Sequence, residues 1–281
     1  MHAPSTRRNR SSRLFPVAII VLSLFQASVT PIAAQQATEP TIRTSERDYA
    51  SDPYWQQAKK EVYKSTLELM AQDQNELLHG LRLHKLIRGN PRKKQIALTF
   101  DDGPHPVYTP QLLDLLAREN VKATFFVVGE MAEKYPDLVR AELAAGHVVG
   151  NHTYHHVNLT KILEPDVATE ITACGDALQR ITGQTAHFFR PPGGDYDAGV
   201  ATTSEALGYT IVLWTDDPGD YANPGDQVIL RRTLKLASKG GIILIHDGVQ
   251  ETINILPQLI ATLRKQGYQF VTVEDMMNGR R

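Results

Sequence analysis

Hydrophobic and polar positions along this chain follow a rhythm that predicts strands and helices in turn. From residue 83 onward, short apolar and β-branched segments alternate with longer segments whose apolar residues fall at helical spacing. The predicted strands are 83–88, 95–100, 123–128, 148–151, 187–190, 210–215, 241–245 and 269–273. The predicted helices lie near 109–119, 131–145, 165–182, 198–207, 225–238 and 251–266.

Polar residues able to do chemistry stand directly after several of these strands. Strand, helix and strand at this rhythm indicate parallel strands joined by crossover helices, whose carboxyl ends gather on one rim. The clusters on that rim are Asp101 with Asp102, His152, Arg190, residues 216–220, and His246. Contributions from so many strands converge more readily in a barrel than in an open sheet. We therefore predict an α/β fold with about seven parallel strands in a (β/α) barrel, complete or incomplete.

The first 34 residues have the layout of a secretory signal. Four arginines precede an apolar run over residues 14–29, and the small residues Ala33 and Ala34 follow it. The run is short for a membrane span, which needs ~20 residues. We predict export to the periplasm, cell wall or extracellular space, in preference to a retained N-terminal membrane anchor. Residues 35–52 are polar without an apolar period and are predicted to be a linker.

A helix is predicted between this linker and the first strand. Asp52 can cap it, Pro53 suits its first position and Gly80 ends it. Its apolar residues at roughly helical spacing are Val62, Leu67, Met70, Leu77 and Leu78. We expect the helix to pack on its own domain, with a partner protein as the alternative. The predicted domains are a signal peptide over 1–34, a linker and helix over 35–82, and a main domain over 83–281.

Composition and charge exclude some classes of protein. With 42% hydrophobic and 22% charged residues in 281, the chain is globular and can bury a substantial core. Residues 95–281 carry 15 Lys and Arg against 23 Asp and Glu, a net charge of −8. Nucleic acid is an unsuitable ligand for such an acidic domain, and a neutral or cationic substrate fits better. Cys174 is the single cysteine, so no intrachain disulfide forms.

Two adjacent carboxylates, Asp101 and Asp102, follow a predicted strand and precede Gly103 and Pro104. Neighbouring side chains of a strand point to opposite faces, but a turn at the strand end can bring both to one site. One carboxylate can then bind a metal ion while the other stays available. A solvated turn explains the same residues equally well when they are considered alone.

A second cluster runs from His152 to His156. If this segment is helical, the i, i+4 spacing places His152 and His156 on one face, while His155 points away. Two imidazoles and a carboxylate such as Asp102 make a three-ligand metal site with an open position for water. A histidine-rich surface turn is the alternative, and the shared rim favours the metal site.

Three further clusters complete the rim. Arg190 ends an apolar strand, where a buried arginine requires a carboxylate partner, and Asp101 is suitable. Asp195 and Asp217 lie next to glycine or proline, Asp216 precedes Asp217, and all three are interpreted first as turn residues. His246 ends a wholly apolar strand, and its position favours a catalytic role over a core histidine. A metal ion, a carboxylate base and a histidine acid together form a hydrolytic site for amides or esters.

At these residues the sequence resembles the polysaccharide deacetylase family, the carbohydrate esterases with the NodB (chitooligosaccharide deacetylase) homology domain. The likeness covers about residues 95–275, with all five family motifs in family order. The segment Thr99-Phe-Asp-Asp-Gly-Pro104 resembles the first motif, which implies Asp101 as catalytic base and Asp102 as metal ligand. The segment His152-Thr-Tyr-His-His156 resembles the second, which implies that both end histidines are metal ligands.

The remaining motifs carry further implied roles. Arg190-Pro-Pro-Gly-Gly194 resembles the third, in which the arginine orients the base. Asp217-Pro-Gly-Asp220-Tyr221 resembles the fourth, which implies that Asp220 tunes the acid histidine. Leu244-Ile-His246 resembles the fifth, which implies His246 as general acid and Leu244 as a lining of the acetyl pocket.

Two residues depart from the family pattern. Gly193 stands where the family often has a tyrosine whose backbone N–H binds the oxyanion, and the backbone group survives that change. Tyr221 stands where the family usually has a tryptophan along the sugar groove, which puts chain-length preference in question.

The resemblance implies a distorted, incomplete (β/α) barrel and a divalent cation, zinc before cobalt, nickel or manganese. The expected function is removal of N-acetyl groups from an N-acetylglucosamine polymer such as peptidoglycan or chitin, with no nucleic acid or stable protein partner. One alternative is an O-acetyl esterase acting on xylan. The other is an inactive glycan-binding scaffold, which the intact set of motif residues disfavours.

Overall fold

One parallel β-sheet organises the part of the chain that the structure, a computed structural model, describes: residues 53–58 and 62–279. The strands are β1 (Lys85–Leu86), β2 (Gln95–Asp101), β3 (Thr124–Val127), β4 (Val148–Asn151), β5 (Phe188–Phe189), β6 (Thr210–Val212), β7 (Gly241–His246) and β8 (Gln269–Phe270). Their spatial order is β1-β6-β5-β4-β3-β2-β7, β8 lies beside β2, and every pairing is parallel. The sheet curls into an open half-barrel, which confirms the predicted fold.

The helices connect the strands and cover the outer side of the sheet. They are α1 (Pro53–Ala58), α2 (Thr66–Leu78), α3 (Tyr108–Arg118), α4 (Gly129–Lys134), α5 (Pro136–Ala144), α6 (Glu164–Thr182), α7 (Ala198–Ala206), α8 (Asp226–Leu236), α9 (Gln250–Lys265) and α10 (Val273–Asn278). None of the helices in the described residues has the length and apolar character that crossing a membrane requires. The predicted signal peptide and linker lie outside those residues.

Alternation along β2 and β7 determines what faces the inside of the half-barrel. Ile96, Leu98 and Phe100 join the core between sheet and helices, and the residues between them point the other way. Burial of each large apolar side chain stabilises the fold by about 1.5–3 kcal/mol. The inward set at the carboxyl ends therefore includes Asp101 on β2 and His246 on β7.

A short bridge connects the segment after β6 to β7. Asp216 pairs with Ile243, and the Leu244 N–H donates to the Asp216 carbonyl oxygen at 2.8 Å. The Thr215 N–H donates to the Ile242 carbonyl oxygen at 3.0 Å. This bridge carries the loop that contains Asp220 to the end of β7, although the two elements are far apart in sequence.

The N-terminal region differs from the single helix predicted over 53–80. Helix α2 begins separately because Ser65 and Glu68 form a capping box, in which each side chain accepts a backbone N–H of the other residue. The prediction that its apolar residues form a buried face is wrong, since Val62, Leu67 and Leu78 are mostly exposed.

Helix α2 nevertheless packs on its own domain, as expected, through the fully buried Leu69 and through polar contacts. Lys85 pairs with Glu76 and, at 2.9 Å, with Asp73. The Gln72 side chain donates to the Tyr196 carbonyl oxygen at 3.0 Å. The predicted helix over 131–145 is also divided in two, because Pro136 begins α5.

Candidate active site

Asp101 and His246 lie side by side at the carboxyl ends of two adjacent strands. They are register partners in the β2–β7 pairing, and the Asp247 N–H donates to the Asp101 carbonyl oxygen at 2.9 Å. Both side chains are buried, and they share the inner face because their strands are parallel and in register. A carboxylate and an imidazole thus border one small space.

Asp102 turns into the same site because the strand ends at Asp101. Its φ of 73° is unusual for a residue other than glycine, and this turn places the side chain beside the histidines. Burial raises the pKa of the Asp102 carboxyl, but the adjacent His156 and His152 outweigh it and hold that pKa well below its usual range. Asp102 is therefore an anion in a buried position.

His152 and His156 reach Asp102 from a loop, and the helical segment considered for them is wrong. Thr153 and His156 have φ values of 65° and 55°, which no helix contains. The loop still directs both rings inward, with centroids 4.9 Å apart. As predicted, His155 points away, because its Nδ1 is 2.7 Å from Glu170 Oε1 at the surface.

Asp102, His152 and His156 form a cluster with the donor set of a metal site. Asp102 Oδ1 is 3.0 Å from His156 Nε2 and 3.5 Å from His152 Nε2, and the three ligand atoms lie within 4.8 Å of one another. His152 Nδ1 donates to the Arg190 carbonyl oxygen at 2.7 Å, so in the neutral ring Nε2 carries the lone pair.

The buried Asp102 Oδ1 and His152 Nε2 atoms have no hydrogen-bond partner among the described residues. Buried polar atoms are rarely left in that state, and a divalent cation between them would satisfy both. The residues present therefore fit the metal that the motifs imply.

Arg190 is fully buried and forms the predicted ion pair with Asp101. Its Nη1 donates to Asp101 Oδ1 at 2.7 Å and to Thr99 Oγ1 at 2.8 Å. The guanidinium lies 4.2 Å from the centroid of the Phe126 ring. These contacts fix the Asp101 carboxylate and leave its Oδ2 facing the cluster, 3.7 Å from His152 Nε2.

His246 is held by a second carboxylate, Asp220. Asp220 Oδ1 is 2.7 Å from His246 Nδ1, and Asp220 Oδ2 accepts the His246 backbone N–H at 2.8 Å and the Thr252 hydroxyl at 2.5 Å. Burial lowers the pKa of His246, but Asp220 outweighs it, and with Asp102 and Asp101 raises that pKa to about 10. The ring is a cation near neutral pH, with Nε2 directed away from Asp220.

The predicted substrate-binding residues surround this pair. Leu244 lies two positions before His246 on β7 and faces the same side. The Tyr221 ring centroid is 5.4 Å from that of His246. Gly193 has a φ of 64° in a short turn, and a Cβ on neighbouring Gly194 would approach Trp214 to 2.5 Å. Gly194 is thus required for the close contact of this turn with Trp214.

The turn interpretation holds for Asp217, whose Oδ1 accepts the Gly219 N–H at 2.8 Å. The Asp195 side chain instead makes tertiary contacts, accepting from Asn158 at 2.7 Å and pairing with Lys64 at 2.9 Å. Asp216 differs, because it lies in the bridge to β7 and is buried. Burial raises the pKa of its carboxyl well above the usual range, which favours the neutral acid.

Three residues that contact the site were not singled out by sequence reasoning. Thr99 stands within the first motif, and its hydroxyl joins Arg190 to the Ile243 carbonyl oxygen. Thr252 on α9 has no sequence signal, since its contact with Asp220 spans 32 positions. Tyr63 comes from the N-terminal region, and its ring centroid is 4.9 Å from that of His246.

Comparison with known proteins agrees with this geometry. The sequence profile named polysaccharide deacetylase matches residues 88–212. A peptidoglycan-N-acetylglucosamine deacetylase of Bacillus cereus is 40% identical over 190 residues, which are 66% of this chain and 89% of that protein. The peptidoglycan-N-acetylmuramic acid deacetylase PdaA of Bacillus subtilis is 33% identical over 209 residues, which are 70% of this chain and 80% of that protein.

Solved structures show the same fold. The Bc1960 peptidoglycan N-acetylglucosamine deacetylase superposes with a TM-score of 0.68 at 35% identity, covering 72% of this chain and 95% of that chain. Wild-type BA3943 of Bacillus anthracis, a CE4 family pseudoenzyme, gives 0.67 at 27% identity, covering 71% of this chain and 70% of that chain. Fold alone therefore does not decide activity, but the sequence relationship places the chain in a family. It belongs to the polysaccharide deacetylases.

Proposed function

We propose that this protein hydrolyses the N-acetyl groups of an N-acetylglucosamine-containing polysaccharide, with peptidoglycan as the first candidate, to give free amine and acetate. The observation that carries the proposal is the pairing of Asp101 and His246 on adjacent strands beside the Asp102, His152 and His156 cluster. The relatives named above as peptidoglycan deacetylases support the choice of polymer.

Asp102, His152 and His156 would hold the metal ion. A divalent cation bound there supplies a Lewis acid that polarises the acetamide carbonyl and acidifies a neighbouring water molecule. Two imidazole nitrogens and one carboxylate oxygen, with room for water, are the donor set of catalytic zinc sites. We therefore propose zinc, with cobalt, nickel and manganese as alternatives.

Asp101 is the proposed general base. Its Oδ2 faces the cluster, while Oδ1 is held by Arg190, so the carboxylate is oriented to take a proton from the attacking water. Arg190 thus positions the base without contacting the reacting atoms.

His246 is the proposed general acid. Asp220 keeps the ring protonated and directs Nε2 toward the site, where it can give its proton to the departing amine nitrogen. The Gly193 backbone N–H would help to stabilise the oxyanion, and Leu244 would line the acetyl pocket. Tyr221 would border the sugar.

Acetate release by the full-length protein tests the proposal. The substrates are N-acetylglucosamine oligomers and peptidoglycan, each assayed in buffer, with chelator, and with chelator followed by excess zinc. We expect release that the chelator abolishes and zinc restores. Acetylxylan serves as the competing substrate, and a strong preference for it would favour the O-acetyl esterase. No release from any substrate, with metal bound, would favour an inactive scaffold.

We also propose that the protein is exported, because basic residues and an apolar run begin the chain. Fractionation of cells that express the full chain tests this. Recovery of the protein in the cytosol at its full mass would contradict export.

A further inference from the structure

The residues just before helix α2 lie against the catalytic pair. We call residues 62–65 the arm. Tyr63 of the arm is only 8% exposed, and its ring centroid is 4.3 Å from that of Tyr221, 4.9 Å from that of His246 and 6.3 Å from that of Trp214. A single aromatic side chain therefore covers the general acid and the tyrosine proposed to border the sugar.

The arm is fixed on both sides of Tyr63. The Lys64 N–H donates to the Gly193 carbonyl oxygen at 2.9 Å, and Lys64 Nζ lies 2.9 Å from Asp195 Oδ1. Ser65 caps α2, which is itself anchored through Lys85. Tyr63 is thus held in place by neighbours on the third motif and by a docked helix.

Helix α1 also contacts the site, at the metal cluster. The Tyr54 hydroxyl donates to the Asp102 carbonyl oxygen at 2.8 Å, and the Tyr54 ring lies 6.4 Å from that of His156. Trp55 is 6% exposed and packs on His105, with ring centroids 4.5 Å apart. Residues from before the main domain therefore contact both the metal cluster and the acid histidine.

The result is a site closed to a polymer. The atoms proposed to act are buried: Asp101 Oδ2, Asp102 Oδ1, His152 Nε2 and His246 Nε2. A cavity of about 950 Å³ lies beside them, bordered by Tyr63, Lys64, His156, Asn158 and Asp195. It has room for sugar rings, and Tyr63, which borders it, also packs against the ring of His246.

We propose that the arm is a lid over the catalytic centre and that Tyr63 is the residue that determines access of glycan polymers to it. The proposal rests on the proposed deacetylase function. The arm lies outside residues 88–212, which the family profile matches, so it is argued from this chain's own contacts. If the open arm is populated on the order of one part in ten, the closed state lowers kcat/KM for a polymer about tenfold.

The test compares full-length wild type with Tyr63→Ala, Lys64→Ala and Leu67→Ala. Lys64→Ala loosens the arm and keeps Tyr63, while Leu67→Ala is a matched control, because Leu67 is 78% exposed on α2. The first readout is kcat/KM for acetate release from an N-acetylglucosamine hexamer. The second is the rate at which dipicolinate removes Co²⁺ from the cobalt-loaded proteins. Circular dichroism checks that each variant is folded.

The lid predicts that Tyr63→Ala raises kcat/KM about tenfold and accelerates cobalt loss, that Lys64→Ala does so less, and that Leu67→Ala changes neither. A fall in kcat/KM for Tyr63→Ala would overturn the proposal, since Tyr63 would then be a residue on which the sugar stacks. No change in either readout would also overturn it. If neither wild type nor any variant releases acetate although cobalt is bound, the proposed function fails. The rate of cobalt removal by dipicolinate then shows by itself whether the arm acts as a lid. Should Tyr63→Ala not fold, Lys64→Ala decides by the same readouts.

Discussion

The two histidine–carboxylate groups of the site are built from the same residue types but differ in how the imidazole meets its carboxylate. In the metal cluster, His152 Nδ1 donates a hydrogen bond to the Arg190 carbonyl oxygen, and Nε2 points toward Asp102. In the acid pair, which consists of His246 and Asp220, His246 Nδ1 donates a hydrogen bond to the Asp220 carboxylate, and Nε2 faces the site. Under the proposed function, one ring would offer a lone pair to a metal ion, and the other would offer a proton to the substrate.

The difference shows how the partner of Nδ1 assigns the role of a histidine. A backbone carbonyl oxygen fixes the tautomer without adding a charge, which suits a neutral ligand. A carboxylate stabilises the imidazolium, and here it raises the pKa of His246 to about 10 against the effect of burial. Four substitutions test this comparison.

The largest effect is expected from His152→Ala. Loss of one of three protein ligands should weaken metal binding by more than the roughly 10–100-fold typical of outer-shell changes, and abolish acetate release. Metal content after dialysis, measured by mass spectrometry, checks this. His155→Ala is the matched control, because that ring is exposed and contacts Glu170. Equal metal loss in both variants would contradict the assignment.

Asp101→Asn should separate chemistry from metal binding. We expect kcat to fall roughly 10²–10⁴-fold while metal content stays at the wild-type value, because Asp101 is the proposed base and is not a proposed ligand. The change also leaves Arg190 without its buried anion, which can cost 3–5 kcal/mol of stability in such pairs. A thermal unfolding curve must therefore show that the variant is still folded at the assay temperature. A near-normal rate would exclude Asp101 as the base.

Much of the fold could be predicted because burial leaves a pattern in the sequence. The apolar residues of β2 and β7 predicted both strands, and the polar residue at each strand end predicted the rim that carries Asp101 and His246. The arginine at the end of a buried strand likewise predicted its carboxylate partner. In each case the type of a single residue indicates whether its position is buried and which partner it needs.

The rest depends on contacts that no local pattern encodes. The spacing of His152 and His156 fits a helix, yet a loop with two positive φ values brings them together. The apolar residues singled out in α2 predicted a docking face, but the helix is held by Leu69, which was not among them, and by the ion pairs of Lys85. Tyr63 reaches His246 from a segment 183 positions earlier in the chain, with no motif to mark it.

A smaller effect is expected from Asp220→Asn, which keeps the shape of the acid pair but removes its charge. Without the carboxylate the pKa of His246 should fall, so the alkaline limb of the pH profile of kcat/KM should move to lower pH. Stability shows the same linkage. The folded-state pKa of His246 is raised, so its contribution is full below the ordinary pKa of about 6.5 and is lost as pH rises through about 10.

The unfolding free energy of Asp220→Asn, followed between pH 6 and 10, should accordingly lose this dependence on pH. Asp226→Asn is the matched control, since Asp226 begins helix α8 and contacts Asn254 instead of His246. An alkaline limb that stays at the wild-type pH in Asp220→Asn would mean that another group sets the charge of His246.

The smallest effect, expected from Thr252→Val, separates orientation from charge within the acid pair. The Thr252 hydroxyl donates to Asp220 Oδ2, and valine keeps the shape without the donor. Because hydrogen bonds to charged groups contribute about 1.5–3 kcal/mol, the unfolding free energy should fall by that order, and kcat/KM by less than about tenfold. The Asp220 charge remains, so the alkaline limb should stay at the wild-type pH, with Thr252→Ser as the control that retains the hydroxyl. A limb displaced as far as in Asp220→Asn would show that Thr252 maintains the ionised carboxylate itself, and the distinction between orienting and charging the acid histidine would fail.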